Sequence, residues 1–142
     1  MKRQAGQSLV ELAVALPLLA ALLTGAIEIG RLAYMYITLV SAARAGVGYG
    51  AQNEATAIDN TGMQTAAQND ATNISGMTPT ASHFCKCSDG TASTCAAGDC
   101  ASNTMIVYVK LVTTATFNTL THYPVIPSSI SLSAQAVMRV SQ

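Results

Sequence analysis

Two groups of residues have types and spacings that could do chemistry. The first is Gly6-Gln7-Ser8-Leu9-Val10-Glu11, which follows the cations Lys2 and Arg3 and opens LAVALPLLAALLTGAI, sixteen uncharged residues from Leu12 to Ile27. On insertion scales an acid at the centre of a membrane helix costs about 2.5–3.5 kcal/mol, and less near an end. Glu11 therefore needs a partner. A cut after Gly6 would supply one, because the new amino group on Gln7 would be cationic. Glu11 would then be the fifth residue, about one helical turn in, able to pair with its own terminus or with that of a neighbouring copy. The second group is Cys85, Cys87, Cys95 and Cys100. A Cys-x-Cys step followed by Cys-x4-Cys is poor zinc spacing, since finger sites usually begin Cys-x2–4-Cys. An even cluster beyond an apolar N-terminal segment reads as two disulfides, in any of three pairings. Zinc or free thiols are the alternatives. Loss of folding with a chelator but not with a reductant would favour zinc.

Little else is reactive. His83 and His122 are isolated, and Asp59, Asp70, Asp89 and Asp99 do not form a calcium loop. Gly46-Val47-Gly48-Tyr49-Gly50 lacks the Lys-Ser/Thr of a phosphate loop. Asn73-Ile74-Ser75 matches a glycosylation acceptor, a pattern common by chance. The charges are balanced at seven of each sign, without a basic patch, so nucleic-acid binding has no electrostatic footprint. The sequence offers no support for an enzyme, a metal or a cofactor.

The elements that position these residues follow from periodicity. Residues 8–50 read as one long helix whose first half is long and apolar enough to span a bilayer. The cations ahead of the span place the N-terminus in the cytoplasm, and the cysteines outside. Pro17 should kink or loosen this helix. Glu28 and Arg31, spaced i, i+3, should pair at the outer membrane edge. Beyond them Leu32, Tyr36, Leu39, Ala43 and Val47 make an apolar stripe, with Tyr34 and Tyr36 at the interface level. The glycines of 46–50 should end or weaken the helix. A polar connection over 51–60 leads to a short helix over about 62–75, N-capped by Thr61 in a capping box with Gln64 and closed by Gly76 and Pro79. The cysteine loop covers 77–104, with His83-Phe84 starting a short strand. Strands follow over about 105–117 and 129–140. Met105, Val107, Val109 and Leu111 share one face, as do Ile130, Leu132, Ala134, Ala136, Met138 and Val140. The expected class is α+β: a long N-terminal hydrophobic transmembrane helix, a short helix and a small antiparallel sheet docked on the helix stripe, with a disulfide-bonded loop.

Gly6…Leu9-Val10-Glu11-Leu12-Ala13…Leu16-Pro17…Ile27-Glu28-Ile29-Gly30-Arg31…Ala42-Ala43-Arg44-Ala45-Gly46 resembles the TadE-like pilin family of tight-adherence (Flp-type) pili. The resemblance is close over about residues 5–50. It implies a leader over 1–6 removed by a prepilin peptidase between Gly6 and Gln7, an assembly helix over 7–50 with Glu11 in the assembly role, and an extracytoplasmic pilin-like domain over 51–142. It also implies a structural, minor pilin that leaves the bacterial inner membrane for a type IV-like pilus at the cell surface and serves adhesion or biofilm formation. Its partners would be other pilin subunits, the peptidase, the membrane assembly machinery and, before assembly, the lipid bilayer. Two other possibilities stand beside it. One is an uncut single-span anchor carrying an extracytoplasmic binding domain. The other is a soluble secreted domain cut after Ala26, since Thr24-Gly25-Ala26 ends a signal-peptide-like stretch.

Overall fold

A computed structural model describes residues 5–100, 104–121 and 127–141; Lys2, Arg3, His122 and Pro124 lie outside the described residues. The chain divides between Tyr34 and Met35 into two compact units. The first unit is the N-terminal part of helix α1 (Ala5–Gly50), which continues through Pro17.

The second unit begins within α1 and adds α2 (Glu54–Ile58), α3 (Asn60–Asp70) and four strands: β1 (Thr78–Cys87), β2 (Ala92–Ser93), β3 (Met105–Asn118) and β4 (Ser129–Arg139). The helix does not stop at the glycine run. It reaches Gly50, and Ala51 N–H still donates to Val47 O at 2.8 Å. Gly46 and Gly50 are where the rest of the unit comes closest. A Cβ on Gly46 would strike Leu111 Cδ1, and one on Gly50 would strike Met63 Sδ. The propensity cost of about 1 kcal/mol per glycine is offset by this close packing.

The segment 51–60, read from sequence as connection only, contains α2. Asn53 caps it: its side chain accepts from Thr56 N–H at 3.0 Å while Thr56 Oγ1 accepts from Asn53 N–H at 3.1 Å, a reciprocal capping box. The next helix starts and ends earlier than its pattern suggested. Asp59, rather than Thr61, is its N-cap, accepting from Gly62 N–H at 2.9 Å, and Ala71 is its C-cap. A shared aspartate lets α2 pass directly into α3. Gly76, at φ +78°, sits in the turn that leads into β1 and does not cap the helix.

The sheet order is β2-β1-β3-β4, antiparallel throughout. The short strand expected at His83-Phe84 is in fact ten residues long and pairs with β3 from Thr78↔Thr114 to Cys87↔Met105. Side chains of α1 and α3 meet one face of the sheet. Ala42, Ala43 and Val47 join Met63, Ala67, Val109, Leu111 and Val140 in one core cluster, while Leu39 joins Ala115 and Ala134 in another. Tyr36, expected in the stripe, is 47% exposed, and Met35 packs in its stead. Met138, expected inward, is on the edge strand, outside both clusters and 46% exposed. Buried Thr113 donates its hydroxyl to Leu39 O at 2.9 Å, which fixes α1 against β3. On the other sheet face Phe84 and Tyr108 stack with ring centroids 5.3 Å apart.

Candidate membrane and assembly helix

The site begins at residues with nothing around them. A Cβ on Gly6 would meet no atom within 4 Å. Gln7 Nε2 donates to Glu11 Oε1 at 3.5 Å, one turn away on the same face, and both residues are exposed. From Leu9 to Leu23 every large apolar side chain is between 59% and 70% exposed, whichever way it points. A helix that is apolar all round needs an apolar environment on every side, in a membrane or among other helices. Among the described residues α1 is the one helix long and apolar enough to cross a membrane.

The polar atoms along this stretch are quiet. Thr24 Oγ1 donates back to Ala20 O and Ala21 O, at 3.1 and 2.9 Å, which keeps its hydroxyl satisfied without water. Arg31 Nη1 donates to Glu28 Oε2 at 3.1 Å. The Glu28 side chain is 12% exposed and that of Arg31 41%, so the pair is half-shielded rather than fully solvated. The processing, assembly, kink and ion-pair candidates, Gly6, Gln7, Glu11, Pro17, Glu28 and Arg31, thus all lie in the first unit.

The cysteines lie in the second unit and form two disulfides, Cys85–Cys95 and Cys87–Cys100. Cys85 and Cys87 are alternate residues of β1 and both are buried. The loop after β1 is thereby stapled to the sheet. Among the described residues no group of three His, Cys, Asp or Glu side chains is placed to hold a metal.

Three polar positions that hold the second unit together went unnoticed in the sequence. Asp99 Oδ2 accepts from Thr94 Oγ1 at 2.6 Å, from Thr94 N–H at 2.7 Å and from Ser93 Oγ at 3.0 Å, and these bonds hold its carboxyl below the usual aspartate range. Asp59 is likewise held low, first by Gly62 N–H and then by Tyr49 Oη, which donates to it at 2.9 Å. The same bond raises the Tyr49 phenol. The third is Thr113. An aspartate ahead of Asn-Thr-Gly was a readable cap signal, whereas Thr113 and Asp99 gain their partners only through tertiary folding.

No curated protein and no solved structure matches the chain. Residues 6–47, from the glycine of the expected cut through most of α1, match the family model described as TadE-like protein.

Proposed function

We propose that the chain is a structural subunit, a minor pilin, of a tight-adherence type IV-like pilus. It is made with its N-terminus in the cytoplasm and α1 in the inner membrane. A prepilin peptidase removes residues 1–6, and the assembly machinery draws the subunit into a filament or its base at the cell surface, where it serves adhesion or biofilm formation. The carrying observation is the coincidence of the family match over 6–47 with a helix whose apolar side chains are exposed all round. Such a helix can exchange lipid for other helices without changing its own structure. Glu11 would neutralise the amino terminus of an adjacent subunit and set axial register. An unpaired charge in an apolar surrounding is strongly disfavoured, so the pair selects correct assembly more than it adds stability. The half-shielded Glu28–Arg31 pair would mark the outer edge of the span.

The test is the intact mass and N-terminal sequence of the protein in cell envelopes and in sheared surface material. The expected species starts at Gln7 and is present in the sheared fraction. An intact Met1 species would support the anchored binding protein instead, and a start at Ile27 the secreted domain. Glu11→Ala should be cleaved normally yet be absent from the sheared fraction; normal incorporation would remove the register role.

A further inference from the structure

The cations of the second unit are scattered in sequence and gathered by the sheet. The face turned away from α1 and α3 carries alternate residues of three strands, and the register sets Phe84, Tyr108 and Arg139 in one row across it. Lys86, beside Ile106, stands one row away on one side, and Lys110, between Ser82 and Val137, one row away on the other. Strand spacings put the backbones of the three cations about 8–14 Å apart, around the stacked rings of Phe84 and Tyr108. β1, β3 and β4 contain no aspartate or glutamate. The acids of the second unit are elsewhere: Glu54, Asp59 and Asp70 on or beside the short helices, Asp89 and Asp99 in the cysteine loop. Asp59 is engaged by Tyr49 and Gly62, Asp99 by Thr94 and Ser93, and Asp89 accepts from Thr91 N–H at 2.9 Å. Among the described residues the one salt bridge is Glu28–Arg31, so the three sheet cations have no ionic partner there.

Edge protection does not account for this pattern. A lysine on an edge strand blunts it against unwanted pairing, but Lys110 is half-buried in the middle of β3, a central strand bonded on both sides. Like charges on one rigid face repel one another, and an anion bound among them relieves that repulsion. Charge thus selects an anionic occupant, and its density narrows the choice. Duplex DNA presents one charge per about 1.7 Å of its axis, far denser than three cations spaced as here. Single-stranded nucleic acids are held by bases stacked on open ring faces, whereas Phe84 and Tyr108 stack on each other with planes 10° apart. The rest of the face bears neutral hydrogen-bonding groups: Thr80, Ser82, Ser133 and Gln135 are all exposed. Such groups suit hydroxyl-bearing sugars between the charges, and the half-buried ring pair offers apolar surface to sugar C–H groups.

We infer that this face of the sheet, through Lys86, Lys110, Arg139 and the Phe84–Tyr108 pair, binds an acidic polysaccharide whose carboxylates are separated by neutral sugars. Arg139 can take one carboxylate bidentately, and each lysine another as a point charge. The inference rests on the second unit alone. It supplies a ligand for the proposed adhesion role, but it needs neither the cut after Gly6 nor a filament.

Binding of fluorescent hyaluronan oligosaccharides, which carry a carboxylate on alternate sugars, to the full-length chain in non-ionic detergent tests this. Binding should be saturable, should weaken at least about tenfold when salt rises from about 0.05 to about 0.5 M, and should be absent for neutral dextran. Lys86→Gln, Lys110→Gln and Arg139→Gln should each weaken it about threefold and together at least about tenfold. Tyr108→Leu, which keeps apolar bulk and removes the ring, should weaken it about threefold. Arg44→Gln, at an exposed cation on α1 away from this face, should leave it unchanged. The charge variants should keep both disulfides and melt as wild type does, since their side chains meet no acid among the described residues. No saturable binding, an equal loss with Arg44→Gln, or tighter binding of oligothymidylate or polyglutamate than of hyaluronan overturns the inference. Failure of the pilin reading is seen separately, in a wild-type protein that lacks the Gln7 start and the sheared species.

Discussion

Gly46 and Gly48 are two residues apart on one helix and should respond to the same substitution with opposite signs. At Gly46 a methyl group runs into Leu111 Cδ1 and lies 2.8 Å from Met63 O, whereas at Gly48 it meets nothing within 4 Å. Gly46→Ala should therefore destabilise by about 1–3 kcal/mol, as overpacking does, and Gly48→Ala should stabilise by up to about 1 kcal/mol through helix propensity. Denaturant melts of the two variants against wild type decide this; equal effects would mean that α1 does not pack as described. Titration gives a second residue-scale test. Asp59 and Asp99 are both depressed in the folded state by their hydrogen bonds. Their contribution to stability is present in full above the ordinary aspartate value of 3.8 and is lost as pH falls below it through the depressed values. Tyr49 is raised, so its contribution holds below 10.0 and is lost as pH rises through the higher folded value. Asp99→Asn should flatten the acid limb of a stability–pH curve without moving the alkaline one, whereas Asp59→Asn should flatten both, because the Asp59 carboxylate is what raises Tyr49.

Among the elements, the disulfide loop is the sharpest case for measurement. The bridges span 10 and 13 residues, and closing loops of that size stabilises by about 2–4 kcal/mol each. Reductant should lower the melting temperature markedly and a chelator should leave it unchanged; the reverse would mean a metal holds the loop. The elements also show what the sequence made legible. The long helix, the pairing of β3 with β4 and the inward set Val109, Leu111, Ala134 and Val140 could be read because their apolar periods are strong. Thr78–Ser82 could not be read as strand: Thr, Pro, Ala and Ser carry no clear alternation, and β1 extends there because β3 offers partners from Thr114 to Lys110. The start of α3 was misplaced because Thr61 and Asp59 are both acceptable caps, and the choice falls to Tyr49, which reaches Asp59 from ten residues away. Gly6, Gln7 and Glu11 stood out by type and spacing alone. The partners proposed for them are other molecules, and neither periodicity nor packing within one chain speaks to those.

At the scale of the whole molecule, the first unit has almost no surface suited to water and the second has an ordinary core. The full chain should need detergent or lipid to stay dispersed, while residues 35–142 should be monomeric in buffer. Light scattering on the two tests this, and a full chain that stays monomeric without detergent would argue against a membrane segment. The bond from Thr113 to Leu39 joins residues 74 apart, and that separation has a consequence in time. Chains emerge N-terminus first, at about 5–20 residues per second. The stripe of Leu39, Ala42, Ala43 and Val47 is delivered early, yet Val109, Ala134 and Val140, which cover it, come last. For on the order of 5–20 s the growing chain carries an uncovered sticky surface. The cross-links among Cys85–Cys100 are local and can close before β4 has been synthesised. Neither bridge waits for β4, so oxidation can run ahead of docking and leave the loop after β1 cross-linked while the helix still lacks its last strand.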